Sequence, residues 1–249
     1  MNYIIRKIRH IIRWTLAAFF GSTILAVVAY RFVPVYVTPL MFIRSVEQIK
    51  DGGSITWHHH WVPLSRISPH MPVAVMASED VRFLLHHGFD YDAIEDAAKR
   101  NKKRGMHKFG ASTISQQTAK NVFLWPGRSW VRKGLEVYFT ALIELVWSKQ
   151  RIMEVYLNSI EMGNGIYGVD AVAEYHFNKN SQELSRAECA LIAVTLPNPR
   201  VFSSKSPSAY IRKRQLKIQH EMKFVPSFPK EGEDFNPKTV TGGVYKSKK

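Results

Sequence analysis

Cysteine is nearly absent from this chain. Cys189 is the single one among 249 residues, so no disulfide can form within the molecule. It lies in the apolar run Ala187-Glu-Cys-Ala-Leu-Ile192 and reads as a small buried hydrophobe rather than a nucleophile. Acidic residues are also scarce: 20 Asp and Glu stand against 35 Lys and Arg, for a net charge of +15 and a pI near 9.9. Such a balance points to anionic partners, whether nucleic acid, lipid headgroups or phosphorylated substrates. The apolar fraction of 45% excludes global disorder and supplies a real core. Strand-like alternation is rare, and no repeat of fixed period occurs. The length fits one ordinary domain with additions.

Charge is missing altogether from Trp14 to Tyr30, WTLAAFFGSTILAVVAY. This run is short for a spanning helix, which needs about 20 residues. Ile11 and Ile12 extend it if Arg13 snorkels, and Arg31 can do the same at the far end. Trp14 and Tyr30 stand where interface aromatics belong, and Arg6, Lys7, Arg9 and Arg13 precede the run. The expectation is a cytoplasmic basic segment over 1–13, a transmembrane anchor over 14–31, and the remainder outside. A signal peptide cleaved near Val27-Val-Ala29 is the second reading, and a buried soluble helix the third. For a body outside the cytoplasm, nucleic acid drops out as a partner and lipid phosphate becomes the natural anion.

Residues 32–71 form an expected membrane-proximal segment. Phe32–Arg44 is apolar but interrupted by Pro34 and Pro39, which suits an interfacial piece or a first strut of the domain. His58-His-His60 points three ways on any regular backbone and reads as a solvated loop rather than a chelate. From Pro72 the texture is helical. Helices are expected over Pro72–Glu79, Asp90–Arg104, Thr113–Phe123, Val131–Asn158 with a break near Ser148, Val169–Phe177 and Ser185–Thr195. Ser185-Arg-Ala-Glu188 has the capping-box pattern, and Leu196-Pro-Asn-Pro199 is a stop. The folded core is thus mainly α, over 72–210, followed by a basic C-terminal tail over 211–249 whose part beyond 225 reads as mobile.

Three groups carry chemistry. In Ser78-Glu-Asp-Val-Arg-Phe-Leu-Leu-His-His-Gly88, a carboxylate ends an apolar helix, where burial raises its pKa and suits it to proton transfer. Asp80 adds like charge, and Gly88 allows a turn through which Phe83 and His86 fold back on the acidic pair. In isolation these residues describe an ordinary helix terminus. The second group, Gly110-Ala-Ser-Thr-Ile-Ser-Gln-Gln-Thr-Ala-Lys-Asn121, follows the basic run Lys99–Arg104 and Lys108, yet has no charge before Lys120. Thr113-Ile-Ser-Gln116 is a second capping-box pattern. Ser112, Gln116 and Lys120 share a helical side, with Gln117 and Asn121 on the next row. Neutral donors and acceptors suit a hydroxyl-rich ligand; the lysine and free helix-start N–H groups suit a phosphate. The third group is Arg128-Ser-Trp-Val-Arg-Lys-Gly-Leu-Glu136. Arg132 and Glu136 make an i,i+4 pair, and Arg128, Arg132 and Lys133 together can surround a pyrophosphate with Glu136 as a second carboxylate.

The order of these groups is more specific than any one of them. Glu-Asp-x-x-Phe-x-x-His-x-Gly, Gly-x-Ser-Thr-Ile-x-Gln-Gln-x-x-Lys-Asn and Arg-Lys-x-x-Glu, followed by Lys149-Gln-Arg-Ile-Met-Glu-Val-Tyr-Leu-Asn158, resemble the peptidoglycan glycosyltransferases of family 51 from about Pro72 to Pro199. Ala111 stands where many relatives have a second glycine. With one anchor and a short tail in place of a transpeptidase domain, the chain is similar to the monofunctional members.

The resemblance implies a lysozyme-like, two-lobed helical domain behind a single N-terminal transmembrane helix, in the bacterial inner membrane with the catalytic domain periplasmic. It implies lipid II and the lipid-linked nascent glycan as substrates, and leaves cell-wall synthesis or division proteins as partner classes. Glu79 would be the general base of an inverting transfer, with Glu136 as the second catalytic carboxylate. Asp80, Ser112, Thr113, Gln116, Gln117, Lys120, Asn121, Arg128, Arg132 and Lys133 would bind substrate, and Phe83, His86 and Gly88 would shape the motif. Glu154 and Asn158 would hold the helix behind the cleft. No cofactor is obligatory from these residues and no ligand cluster demands a metal, although the family often uses Mg2+ or Mn2+. A lytic transglycosylase or a non-catalytic membrane-tethered binder of anionic polymer are the competing classes. The first would not need cations facing a leaving group, and the second would not need Glu79.

Overall fold

The structure is a computed structural model and describes residues 2–104, 110–230, 232–233 and 235. It is mainly helical and divides into two units, residues 1–34 and 35–249. The first is helix α1, Asn2–Phe32. At 1.5 Å per residue it is about 46 Å long, and it is long and apolar enough to cross a membrane. The basic residues Arg6, Lys7, Arg9 and Arg13 lie on this same helix, not on a separate segment before it.

The second unit opens with α2, Pro39–Lys50. Thr38 caps it by accepting from Met41 N (3.3 Å), and Pro39 occupies the first turn, where its missing N–H costs nothing. Leu40 and Met41 are buried, as the strut reading of this segment requires, while Phe42, Val46 and Ile49 are exposed. Strand β1 is His58–His59. The histidine triplet is thus a correction: it is not a solvated loop. His59 Nε2 lies 2.9 Å from the Asn158 carbonyl, His58 stacks on Tyr175 and His60 pairs with Glu174. Backbone pairing across the sheet takes precedence over the polarity of the side chains.

Next come α3, His70–Glu79; α4, Tyr91–Arg104; α5, Ile114–Phe123; α6, Trp130–Val146; and α7, Lys149–Ser159. These match the expected helices closely, including the break before Ser148. Lys99–Arg104 lies on α4; Lys108 falls outside the described residues. Strands β2 (Glu161–Gly163) and β3 (Ile166–Tyr167) form a small sheet in the order β1-β3-β2, with β1 parallel and β2 antiparallel to β3. The register pairs His58 with Ile166 and His59 with Tyr167. A short α8, Val169–Val172, runs into a π turn over Ala173–Phe177. Helix α9, Arg186–Thr195, starts with the capping box Ser185/Glu188 and buries Cys189, whose thiol is pushed up to about 12 by that burial.

The last helix, α10, Ala209–Glu221, corrects the expectation of a basic tail from 211. Its cationic face hides an inner stripe: Ile211, Gln215 and Ile218 are buried, as are Met222 and Val225 beyond it. Most of the tail expected after 230 lies outside the described residues. The helices pack in two groups, α3 with α9 and α10, and α5 with α6 and α7, while α2 leans on α5.

Candidate active site

Glu79 is the last residue of α3, at the seam between the two helical groups. Met71 to Ala77 of that helix are buried, so α3 reaches its one carboxylate only as it leaves the core. Gln117 Nε2, from α5, donates to Glu79 Oε2 (3.1 Å), and Ser78 Oγ lies 3.1 Å from Oε1. Tyr156 Oη, from α7, donates to Gln117 Oε1 (3.2 Å). Burial raises the Glu79 pKa; the bonds from Gln117 and Ser78 and the charge of Arg214 oppose the rise, and Asp80 adds to it. Burial, with Glu79 and Asp80 nearby, drives the Tyr156 pKa well up, so its hydroxyl stays a donor. The result is a carboxylate that hydrogen-bonds to neutral donors and holds a proton more readily than an ordinary glutamate.

Asp80 is placed quite differently. It is buried, its two oxygens lie 3.0 Å from His86 Nε2, and Oδ2 accepts from Ile114 N (3.0 Å). Ile114 is the first residue of α5, so the carboxylate sits on that helix's positive end. Thr113 Oγ1 donates to the Gly88 carbonyl (2.7 Å) and accepts from Gln116 N (3.1 Å), while Gln116 Oε1 accepts from Thr113 N (3.0 Å). Gly88 has φ 88°, and a Cβ there would stand 2.8 Å from Thr140 Cγ2; glycine alone fits both the turn and the space. Phe83 is fully buried beside His86, with Lys149 Nζ 4.4 Å over its ring.

This geometry redistributes the expected substrate binders. Asp80, Thr113 and Gln116 are buried and spend their hydrogen bonds within the protein, as buried polar groups must. The shared side expected for Ser112, Gln116 and Lys120 is not formed. Ser112 precedes the helix and is exposed, and Gln116 folds back into its cap. Gln117, from the neighbouring row, is the glutamine that meets Glu79. Asn121 is buried on α5.

Lys120 links the acidic and cationic halves. Burial lowers its pKa; Glu136 and Glu79 act against this, and Arg132 and Lys133 reinforce it. Glu136 is buried on α6 and accepts from Arg132 Nη1 (2.6 Å) and Lys133 Nζ (2.5 Å). Arg132 Nε is buried without an acceptor among the described residues. Arg128 is exposed in the connection before α6. Glu154 and Asn158 tie α7 to the chain at 62–64: Glu154 accepts from Leu64 N (3.0 Å), and Asn158 pairs with both backbone groups of Val62 (2.9 Å each).

Two further residues near Glu79 carry no local signal of it in the sequence. Tyr156 lies within Lys149–Asn158 on α7 and reaches Gln117 only through the packing of α7 on α5. Arg214 lies on α10, where cationic composition masked the helical stripe.

Among the described residues, Asp80, His86 and Asp90 bring ligand atoms within 4.8 Å of one another. Those atoms already serve other partners: Asp80 as above, and Asp90 caps α4 through Ala93 N (3.1 Å) and faces Arg82 Nε at 3.6 Å. The oxygens of Glu79 and Glu136 are likewise engaged. Neither set offers the open cluster of oxygens that Mg2+ or Mn2+ takes.

A carboxylate whose pKa is raised, hydrogen-bonding side chains of α5 and a cationic cluster thus lie along one seam. The family model described as Transglycosylase matches residues 47–223, and the chain belongs to that family. It is 64% identical to the biosynthetic peptidoglycan transglycosylase of Bacteroides thetaiotaomicron over 225 residues, 90% of each chain. It is 52% identical to the protein of that name from Bdellovibrio bacteriovorus, covering 88% of this chain and 87% of the other. The protein of that name from Pasteurella multocida is 49% identical, over 84% and 85%.

Proposed function

We propose that this chain is a peptidoglycan glycosyltransferase that polymerises lipid II into β-1,4-linked glycan, with Glu79 as general base. The observation that carries the reading is that Lys120 stands between the half-buried Glu79, whose pKa is raised, and the cluster of Glu136, Arg132 and Lys133 on α6. Glu79 takes the proton of the acceptor's 4-hydroxyl, whose oxygen attacks the anomeric carbon of the lipid-linked donor. The bond to undecaprenyl pyrophosphate breaks with inversion, and the departing charge meets Lys120, Arg132 and Lys133. Glu136 holds Arg132 and Lys133 in place, a role for the second carboxylate that needs no proton transfer. Gln117 holds the Glu79 carboxylate and is itself held by Tyr156. Exposed Phe42, Val46 and Ile49 make an apolar stripe on α2, which suits a substrate carrying a lipid tail.

In the same reading α1 spans the inner membrane with its amino terminus in the cytoplasm and the catalytic unit outside. Lys and Arg before the apolar run support that orientation. Incubating the purified protein with lipid II tests the activity. Longer glycan chains with released undecaprenyl pyrophosphate are expected. Shortened chains from preformed peptidoglycan, with lipid II untouched, would overturn the proposal in favour of lysis. The same assay with a chelator decides whether a divalent ion is required.

A further inference from the structure

Helix α10 belongs to none of the motifs, yet it packs on the helix that ends in Glu79. Its buried stripe runs Ile211, Gln215, Ile218, and Arg214 falls on that stripe, three residues after Ile211 and four before Ile218. The guanidinium is half-buried, whereas Arg212, Lys213 and Lys217 on the outer faces are exposed. Two bonds fix the helix against α9: Gln215 Nε2 donates to Ala187 O (2.7 Å), and Arg186 Nη2 donates to Gln219 O (3.4 Å). Arg214 itself is steadied by Tyr210, whose hydroxyl accepts from Nη1 (3.3 Å).

We propose that Arg214 is a positioning residue for Glu79, presenting a fixed positive charge to that carboxylate from the α10 side of the seam. The inference rests on the reading of Glu79 as base. The groups facing Glu79 come from every neighbouring element. Asp80 follows it in the chain; α5 supplies Gln117 and Lys120; α7 supplies Tyr156; and α9 supplies the Ala193 carbonyl, 3.3 Å from Ser78 Oγ. Burial and Asp80 push the carboxyl toward its neutral form, and a neutral carboxyl cannot accept a proton. Lys120 is shared with Glu136, Arg132 and Lys133. Arg214 has no carboxylate partner of its own among the hydrogen bonds and ion pairs of the described residues. Its charge persists across the working pH range, so it favours ionised Glu79 whatever the solvent pH.

The test is a titration. The full chain in detergent micelles, labelled with 13C at glutamate carboxyls, gives a Glu79 resonance identified by its loss in Glu79→Gln. In Arg214→Gln its midpoint should move to higher pH, and in Arg214→Lys it should return toward wild type. Arg214→Met, which keeps the apolar stem, serves if the glutamine variant fails to fold. An unchanged midpoint in a folded neutral variant overturns the proposal. Polymerisation of lipid II provides the second reading. The acid limb of kcat should shift upward, with roughly a threefold loss there, while the alkaline plateau is retained. A uniform loss at every pH with a raised KM would instead make Arg214 a substrate contact and sink the proposal. If wild type does not polymerise lipid II, the functional reading fails, and the titration still judges Arg214.

Discussion

Glu79 and Asp80 are neighbours in the chain but belong to two different regions. On the Glu79 side of the seam, a carboxylate and Lys120 are half-buried and partly desolvated, with only neutral hydrogen bonds and shared charges to compensate them. On the Asp80 side, a carboxylate, a histidine, a threonine hydroxyl and a glutamine amide close on one another and on the start of α5. One region keeps ionisable groups in the wrong medium, poised to exchange protons and meet anions. The other ties Asp80, His86 Nε2, Thr113 and Gln116 to one another and to the start of α5, leaving His86 Nδ1 as a buried nitrogen without a partner among the described residues. A dense set of hydrogen bonds beside the seam limits how far the surroundings of Glu79 can relax.

The comparison can be broken at either region. Glu79→Gln should have the largest effect, lowering polymerisation by about 10²- to 10⁴-fold. It should also stabilise the protein. A carboxyl whose folded pKa lies above the unfolded one contributes stability only below the ordinary glutamate range, and loses it as pH rises through the folded value. Charged Glu79 is therefore a burden at neutral pH. Thermal melts should show Glu79→Gln above wild type there, with the gap closing toward acid; full activity in this variant would remove Glu79 as base.

Lys120→Met should reduce turnover by about 10²-fold through loss of leaving-group stabilisation, again without loss of stability at neutral pH. The lysine's pKa is lowered by folding, so its contribution is present above the ordinary lysine range and lost as pH falls through the folded value. Wild-type turnover would exclude it from the leaving-group site. On the other side, Asp80→Ala should cost about 1–3 kcal/mol by stripping His86 and Ile114 N–H of their acceptor, measured by denaturant unfolding. An inactive but equally stable Asp80→Ala would instead show that Asp80 touches substrate. Thr113→Ala should be mildest, about 1 kcal/mol for a lost N-cap; a kcat change exceeding that stability loss would return Thr113 to the substrate site.

Much of this division could be read in advance only where the interactions are local. Thr113/Gln116 and Ser185/Glu188 were legible as caps because each box closes within three residues. The helices followed their apolar periods, and the long apolar run before Arg31 announced α1. Helix α10 was not legible: Arg212, Lys213, Arg214 and Lys217 dominate its composition and conceal a stripe of only a few buried positions. Nor was β1, whose His58-His59 has no strand propensity and pairs because β3 lies beside it.

The sequence by itself determined the membrane-span candidate, the helix starts, and the order of acidic, neutral and cationic groups that carries the family resemblance. These rest on composition and on spacings of three or four residues, which the backbone converts directly into a shared face or a closed cap. Only the tertiary structure decided which of two adjacent carboxylates is locked onto His86 and the start of α5, which of two adjacent glutamines meets Glu79, and that Tyr156 bonds that glutamine. Those assignments depend on bonds between residues far apart in the chain, such as Ile114 N to Asp80 or Tyr156 to Gln117. Such bonds exist only after the apolar faces of α3, α5, α7 and α10 have packed and excluded the water that would otherwise satisfy each group alone.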